Sequence, residues 1–256
     1  MNLRFNTSLA EGYKSPSQIV RVMTEDWLAR NMYCPICGET RIRQAEPNAP
    51  VKDYVCEQCK SQYELKSQKS ASDIFPKSVA DGVYDTMIKR ITSLDNPSFF
   101  FMHYDRYEVN NLIIVPKCFF TPSIIFKRKP LRETARRAGW VGCNILLGDI
   151  PKIAKISIIH NGNVRKIEDV IQDYNRVYSL QKMTIEGRGW LVDVLQCVEK
   201  LDTDFSLKQM YEFVPELSFK HPANNHIHDK IRQQLQFLRD KGIIEFKGNG
   251  FYKKIK

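Results

Sequence analysis

VCEQCKSQYELKSQK, residues 55–69, sets two cysteines at metal-ligand spacing a few residues ahead of a Glu-Leu-Lys triplet. Cys-Pro-Ile-Cys at 34–37 supplies a second pair, and 18 residues separate the pairs. That interval falls in the ~15–20-residue window of paired Cys-x2-Cys motifs that hold tetrahedral zinc. Cys34, Cys37, Cys56 and Cys59 are therefore expected to bind Zn2+. Four thiolates leave no position open for water, so the ion's role is structural.

The runs on either side of the second pair, VKDYV from 51 and SQYELK from 61, read as two strands of a hairpin with the cysteines at its tip. Alternate residues of a strand share a face, so Glu64 and Lys66 point together and Leu65 points away. Asp53 can face them from the neighbouring strand. Two carboxylates beside an ammonium suit metal-assisted phosphodiester cleavage, with Asp53, Glu64 and the Leu65 carbonyl as Mg2+ ligands. Lys66 would orient or deprotonate the attacking water. The same Asp…Glu-x-Lys pattern also arises by chance on charged hairpins.

Composition points toward a polyanionic partner. Lysine and arginine number 39 against 29 acidic residues, a net charge of +10 with pI near 9.2. Release of counterions from phosphates makes double-stranded DNA the leading candidate. With 43% hydrophobic residues the chain can bury a sizeable core. No run approaches the ~18–20 apolar residues of a membrane helix, and the first residues lack the apolar stretch of a signal peptide, so a cytoplasmic protein without membrane contact is expected. Seven cysteines, an odd number, fit metal binding in a reducing compartment better than a disulfide framework. Cys118, Cys143 and Cys197 are expected to be buried thiols.

Along the chain, Ile19, Val20, Met23, Trp27 and Leu28 recur at helical spacing over 18–32. A second helix is expected around 77–94, with Val79, Val83, Met87 and Ile91 on one face. SFFFMHY, NNLIIVPK and KISIIHN read as strands of a sheet covered on both faces. The polar helix of 166–182 leads into Gly187-Arg188-Gly189, which reads as a linker. The fold class is thus α/β, with a mixed sheet in residues 1–183 and a separate domain over 184–256. In the latter, the helices WLVDVLQCVEKL, SLKQMYEFV and NNHIHDKIRQQLQFLRDKG precede a hairpin with Gly248-Asn249-Gly250 at its turn. Three helices and a basic hairpin are the order of a winged helix-turn-helix, whose third helix enters the major groove.

Two segments carry candidate DNA contacts. KRKPLRETARRAGWVGC offers Arg136 and Arg137 for phosphates and Trp140 as an aromatic wedge, against the plainer reading of a solvated basic loop. The last helix offers Asn224, Asn225, Lys230, Arg232 and Gln233, with Gln234 on the same polar face, while Ile227, Ile231, Leu235 and Leu238 form its core face. His103, His160 and His221 show no catalytic pairing and read as structural or surface residues.

Taken together, TEDW at 24–27, YCPICG, Asp53 with ELKS, NPSFFF, VNN, RKPLRETARRAGWVGCNI, RGW at 188–190 and NNHIHDKIRQQLQFLRDKGIIEFKG resemble, nearly end to end, the DpnI family of restriction endonucleases, which cut only methylated GATC sites. The resemblance implies a PD-(D/E)xK nuclease core with a zinc knuckle, followed by a winged helix, both engaging N6-methyladenine in DNA. It implies catalytic roles for Asp53, Glu64 and Lys66. It implies an adenine-methylation-dependent type II enzyme, expected as a monomer, that hydrolyses both strands at Gm6ATC. Blunt ends come from the resemblance alone. The family's Pro-Asp is Lys52-Asp53 here, with Pro50 the nearest proline, so the first half of the signature is degenerate. The alternative is a non-catalytic, zinc-containing winged-helix DNA-binding regulator.

Overall fold

The computed structural model describes residues 1–45, 53–93, 96–178 and 184–255. Helix α1 (Pro16–Asn31) opens the larger part, followed by β1 (Arg43–Gln44), β2 (Tyr54–Val55), β3 (Gln62–Lys69), β4 (Val79–Val83) and α2 (Tyr84–Ile91). Next come β5 (Ser98–Asp105), β6 (Glu108–Val115), β7 (Ile125–Lys127), β8 (Gly142–Ile145), β9 (Ile156–His160), β10 (Asn163–Val164) and α3 (Ile167–Tyr178). The main sheet runs β1-β2-β3-β5-β6-β9-β10. Its β3–β5 pair is parallel and the other pairs are antiparallel, the mixed arrangement expected. β4, β8 and β7 form a small sheet of their own.

β5 is buried along Ser98–Tyr104, which is why its sequence is a continuous apolar and aromatic run rather than an alternating one. β3 alternates in function instead. Tyr63 is fully buried and Ser67 Oγ lies 3.4 Å from Thr24 Oγ1 of α1, so odd positions meet α1. Glu64 and Lys66 take the other face, toward β4 and α2.

The helix expected over 77–94 is corrected. Residues 79–83 are strand, paired antiparallel with β8, and helix begins only at Tyr84. Val79 and Val83 therefore belong to an edge strand, whereas Met87 and Ile91 are buried in α2 as the spacing predicted. A valine every fourth residue fits either element. The strand wins because β8 offers backbone partners, Val79 opposite Ile145 and Asp81 opposite Cys143.

The C-terminal part comprises α4 (Ile185–Lys200), β11 (Asp204–Ser206), α5 (Leu207–Tyr211), α6 (Val214–Lys220), α7 (Ile227–Asp240), β12 (Ile244–Gly248) and β13 (Phe251–Lys254). Gly187-Arg188-Gly189 is no linker: Thr184 caps α4 by accepting a hydrogen bond from the Gly187 N–H at 3.1 Å, which puts both glycines inside the first five residues of the helix. Residues 179–183, the end of the helix expected over 166–182, lie outside the described residues. The second helix expected over SLKQMYEFV is shorter, ending at Tyr211 as α5, and α6 (Val214–Lys220) is a further helix that was not expected. β11 pairs with β13 to give a three-stranded wing, turned by Asn249 (φ 48°) and Gly250 (φ 77°). Positive φ at both turn residues is what a two-residue hairpin requires, hence Asn-Gly. Among the described residues no helix is long and apolar enough to cross a membrane.

Candidate active site and zinc knuckle

The four cysteines form two copies of one turn. In each, the residue after the second cysteine donates its N–H to the carbonyl of the first, Gly38 to Cys34 and Lys60 to Cys56, both at 2.9 Å. Both donors have positive φ, 78° for Gly38 and 60° for Lys60. The four Sγ atoms lie within 4.8 Å of one another, with Cys34–Cys59 at 3.5 Å and Cys37–Cys56 at 3.6 Å. A tetrahedral unit of four thiolates with Zn–S of about 2.3 Å has sulfur–sulfur edges of about 3.8 Å, so the spacing and the thiolate donors fit zinc. Tyr63 ties the cluster to β3, its hydroxyl 3.0 Å from Cys34 Sγ. The knuckle thus grips β3 one residue before Glu64.

On the opposite face, Lys66 Nζ sits 2.5 Å from Glu64 Oε1 and 2.5 Å from Asp81 Oδ1. Arg90 of α2 binds Glu64 Oε2 through Nη1. All four side chains are largely buried. Burial alone would push the Lys66 ammonium toward its neutral form, but Glu64 and Asp81 outweigh it, and its pKa rises above the ordinary lysine value. Asp53 is oriented separately: its Oδ2 accepts the Leu65 N–H at 3.1 Å, and its own N–H donates to the Tyr63 carbonyl at 3.1 Å. β2 and β3 therefore bring Asp53 alongside the Glu64–Lys66 segment, but Asp53 Oδ2 rests on backbone while Glu64 is engaged by cations. Among the described residues the four-cysteine cluster is the one group of three or more possible ligands drawn within 4.8 Å. The oxygen donors of Asp53, Glu64 and the Leu65 carbonyl are of the hard type that Mg2+ takes.

Sequence reasoning missed Asp81 and Arg90. Asp81 was hidden because its segment reads as helix, and no spacing rule links it to Lys66 across two sheets. For Arg90 the signal was weaker still, one cation among several on a short helix.

The basic loop hangs from the small sheet that delivers Asp81. It folds back on itself through Leu131 N–H to the Trp140 carbonyl (3.0 Å) and Gly139 N–H to the Leu131 carbonyl (3.1 Å). Arg136 and Arg137 are exposed, and half-buried Trp140 lies against Gly142 with the Arg128 guanidinium 6.0 Å from its ring centre.

In the winged helix, α7 begins at Ile227, so Asn224 and Asn225 stand in the turn before it. Asn224 Oδ1 accepts the His226 N–H at 2.8 Å. Lys230 is half-buried with its ammonium 6.0 Å from the Trp190 ring centre, Arg232 is bonded to the Tyr211 hydroxyl, and Gln233 is exposed. Gln234 is corrected: it is buried with Ile227, Ile231, Leu235 and Leu238. Lys254 of the wing turns inward, its ammonium reaching the carbonyls of Leu201 (2.6 Å) and Glu199 (3.3 Å) at the end of α4. His221 stacks on Trp190 at 3.7 Å and pairs with Asp193 at 2.8 Å, and His103 stacks on Phe75 at 4.1 Å, both structural; His160 is exposed.

This mixed sheet with its four-cysteine knuckle, joined to a winged helix, defines a protein of the PD-(D/E)xK restriction-endonuclease-like class. Residues 1–183 match the model of the DpnI, or Dam-replacing, family, and residues 186–254 match the Dam-replacing helix-turn-helix domain. The chain belongs to the DpnI family, which implies a methylation-dependent restriction endonuclease.

Proposed function

We propose that this protein is a Mg2+-dependent type II endonuclease that hydrolyses both strands of DNA at Gm6ATC, leaving 5′-phosphate ends. The observation that carries the reading is the buried Glu64–Lys66–Asp81–Arg90 network beside Asp53. Desolvating four charges adds little to stability, so their concentration on one strand face favours chemistry over accident.

Asp53, Glu64 and the Leu65 carbonyl would hold Mg2+, which would polarise the phosphoryl oxygen and offset charge in the transition state. Lys66, kept protonated by its two carboxylates, contributes a fixed positive charge toward the pentavalent phosphorus and a hydrogen-bond donor for the attacking water. Arg136 and Arg137 contact phosphates, and Trp140 packs its ring on the adenine methyl, an apolar group that unmethylated adenine lacks. Asn225 and Gln233 read adenine edges from the winged helix, with Asn224, Lys230 and Arg232 supporting them. The knuckle's zinc braces the hairpin and takes no part in chemistry.

The test is incubation of the purified protein with methylated and unmethylated plasmid, with and without Mg2+. Cutting of the methylated plasmid alone, and only with Mg2+, is expected. A regulator would shift the DNA band and leave it whole.

A further inference from the structure

We propose that Arg90 is the phosphate-binding residue of this site, parked on Glu64 until a divalent cation claims that carboxylate. The inference rests on the endonuclease reading and deepens it. Arg90 leaves α2 with only 11% of its side chain exposed. Its Nη1 binds Glu64 Oε2, yet Nε and Nη2 are buried and, among the described residues, have no hydrogen-bond partner. Buried donors are normally satisfied, and an orphaned guanidinium edge beside a carboxylate marks where an acceptor belongs. The orphaned pair is a planar fork, the geometry that grips two oxygens of one phosphate.

Glu64 supplies the reason for a change of partner. Lys66 occupies Oε1 and Arg90 occupies Oε2, so a cation must displace one of them. Lys66 has Asp81 to keep it in place, whereas among the described residues Arg90 has no second carboxylate. Oε2 is therefore the oxygen that opens. Charge favours the exchange as well: Asp53, Glu64 and Asp81 outnumber Lys66 and Arg90 by one, and a divalent cation arriving with one phosphodiester leaves the site neutral. Arg90 then releases Nη1 from Glu64 and sets its Nε–Nη2 fork on the two non-bridging oxygens of the scissile phosphate, and catalysis gains a cation that the free enzyme had spent on its own carboxylate.

The test uses the full-length, zinc-loaded protein and two variants, Arg90→Gln and Arg90→Lys. Ca2+, which binds oxygen ligands, is titrated calorimetrically into each without DNA, and single-turnover cleavage of a methylated duplex is timed at saturating Mg2+. Arg90→Gln should bind Ca2+ severalfold more tightly than wild type, its competitor gone, and cut about 100-fold more slowly, the scale of losing one transition-state donor. Arg90→Lys should keep the wild-type Ca2+ affinity and still cut at least about 10-fold more slowly, lacking the fork; it decides the matter alone if Arg90→Gln does not fold. Weaker Ca2+ binding in Arg90→Gln would make Arg90 a support for Glu64 and overturn the proposal, as would wild-type cutting rates in either variant. A wild-type protein that fails to cut sinks the endonuclease reading and this inference with it. Normal wild-type cutting with undiminished variants sinks the inference alone.

Discussion

Glu64 and Lys66 were legible because the two-residue period of a strand puts them on one face wherever that strand lies, and the structure pairs them at 2.5 Å. Asp81 and Arg90 were not legible, because each reaches the site from an element whose position depends on tertiary pairing. Asp81 needs β4 to find β8, and Arg90 needs the short helix that follows. The roles proposed for the inner residues separate binding from chemistry. Asp53→Ala, Glu64→Ala and Lys66→Ala should each lower cutting at least about 1,000-fold while affinity for a methylated GATC duplex in Ca2+ changes little, since these groups act on the transition state. Parallel gel-shift and cleavage assays check this, and a fully active Lys66→Ala protein would remove Lys66 from the mechanism.

At the scale of elements, the paired knuckles were readable as a motif, whereas their attachment was not. Nothing in the spacing of cysteines says that Tyr63 joins the cluster to the strand carrying Glu64. With zinc held by the four cysteines, that bond would make its loss a disturbance of the candidate site itself. Cys56→Ser should lower the thermal midpoint on the order of 10 °C, equivalent to about 3–5 kcal/mol in a chain of this size, with zinc content falling in elemental analysis. Brief EDTA treatment of the wild type should stop cleavage reversibly while zinc stays bound. The small sheet supports a second expectation. A Cβ at Gly142 would lie 2.5 Å from Trp140 Cη2 and 2.6 Å from Cζ3, too close for the ring to stay. Gly142→Ala should therefore shift Trp140 and reduce the preference for methylated over unmethylated duplex, as Trp140→Ala should, although no charge or DNA-facing group has been removed. Discrimination equal to wild type, measured on matched oligonucleotides, would return Trp140 to a packing role.

For the whole molecule, the sequence order of three helices and a hairpin carried the winged helix, and the mixed sheet followed from its apolar runs. The junction was misread because two glycines suggested a break, where a threonine cap and a buried face from Trp190 to Val198 make a helix instead. The two parts should read DNA by different physics. Replacing exposed Lys253 with alanine should weaken binding to every duplex alike and flatten the salt dependence by about one unit of slope, because a phosphate contact carries no sequence. Gln233→Ala should leave the slope unchanged and cost about 1–3 kcal/mol on methylated GATC. Anisotropy titrations at two salt concentrations distinguish the two, and identical slopes for both variants would mean that the wing does not touch the backbone. The strand order also governs when, during synthesis, the Glu64–Lys66–Asp81 cluster comes into being. β3 meets its parallel neighbour β5 only across a long crossover, and the strand that delivers Asp81 waits for β8 at residues 142–145. Such distant pairings form late. A nascent chain that has not yet released β8 has its four cysteines and a Glu-Leu-Lys strand but no Asp81 against Lys66, so on the proposed reading it would carry only a fragment of the site.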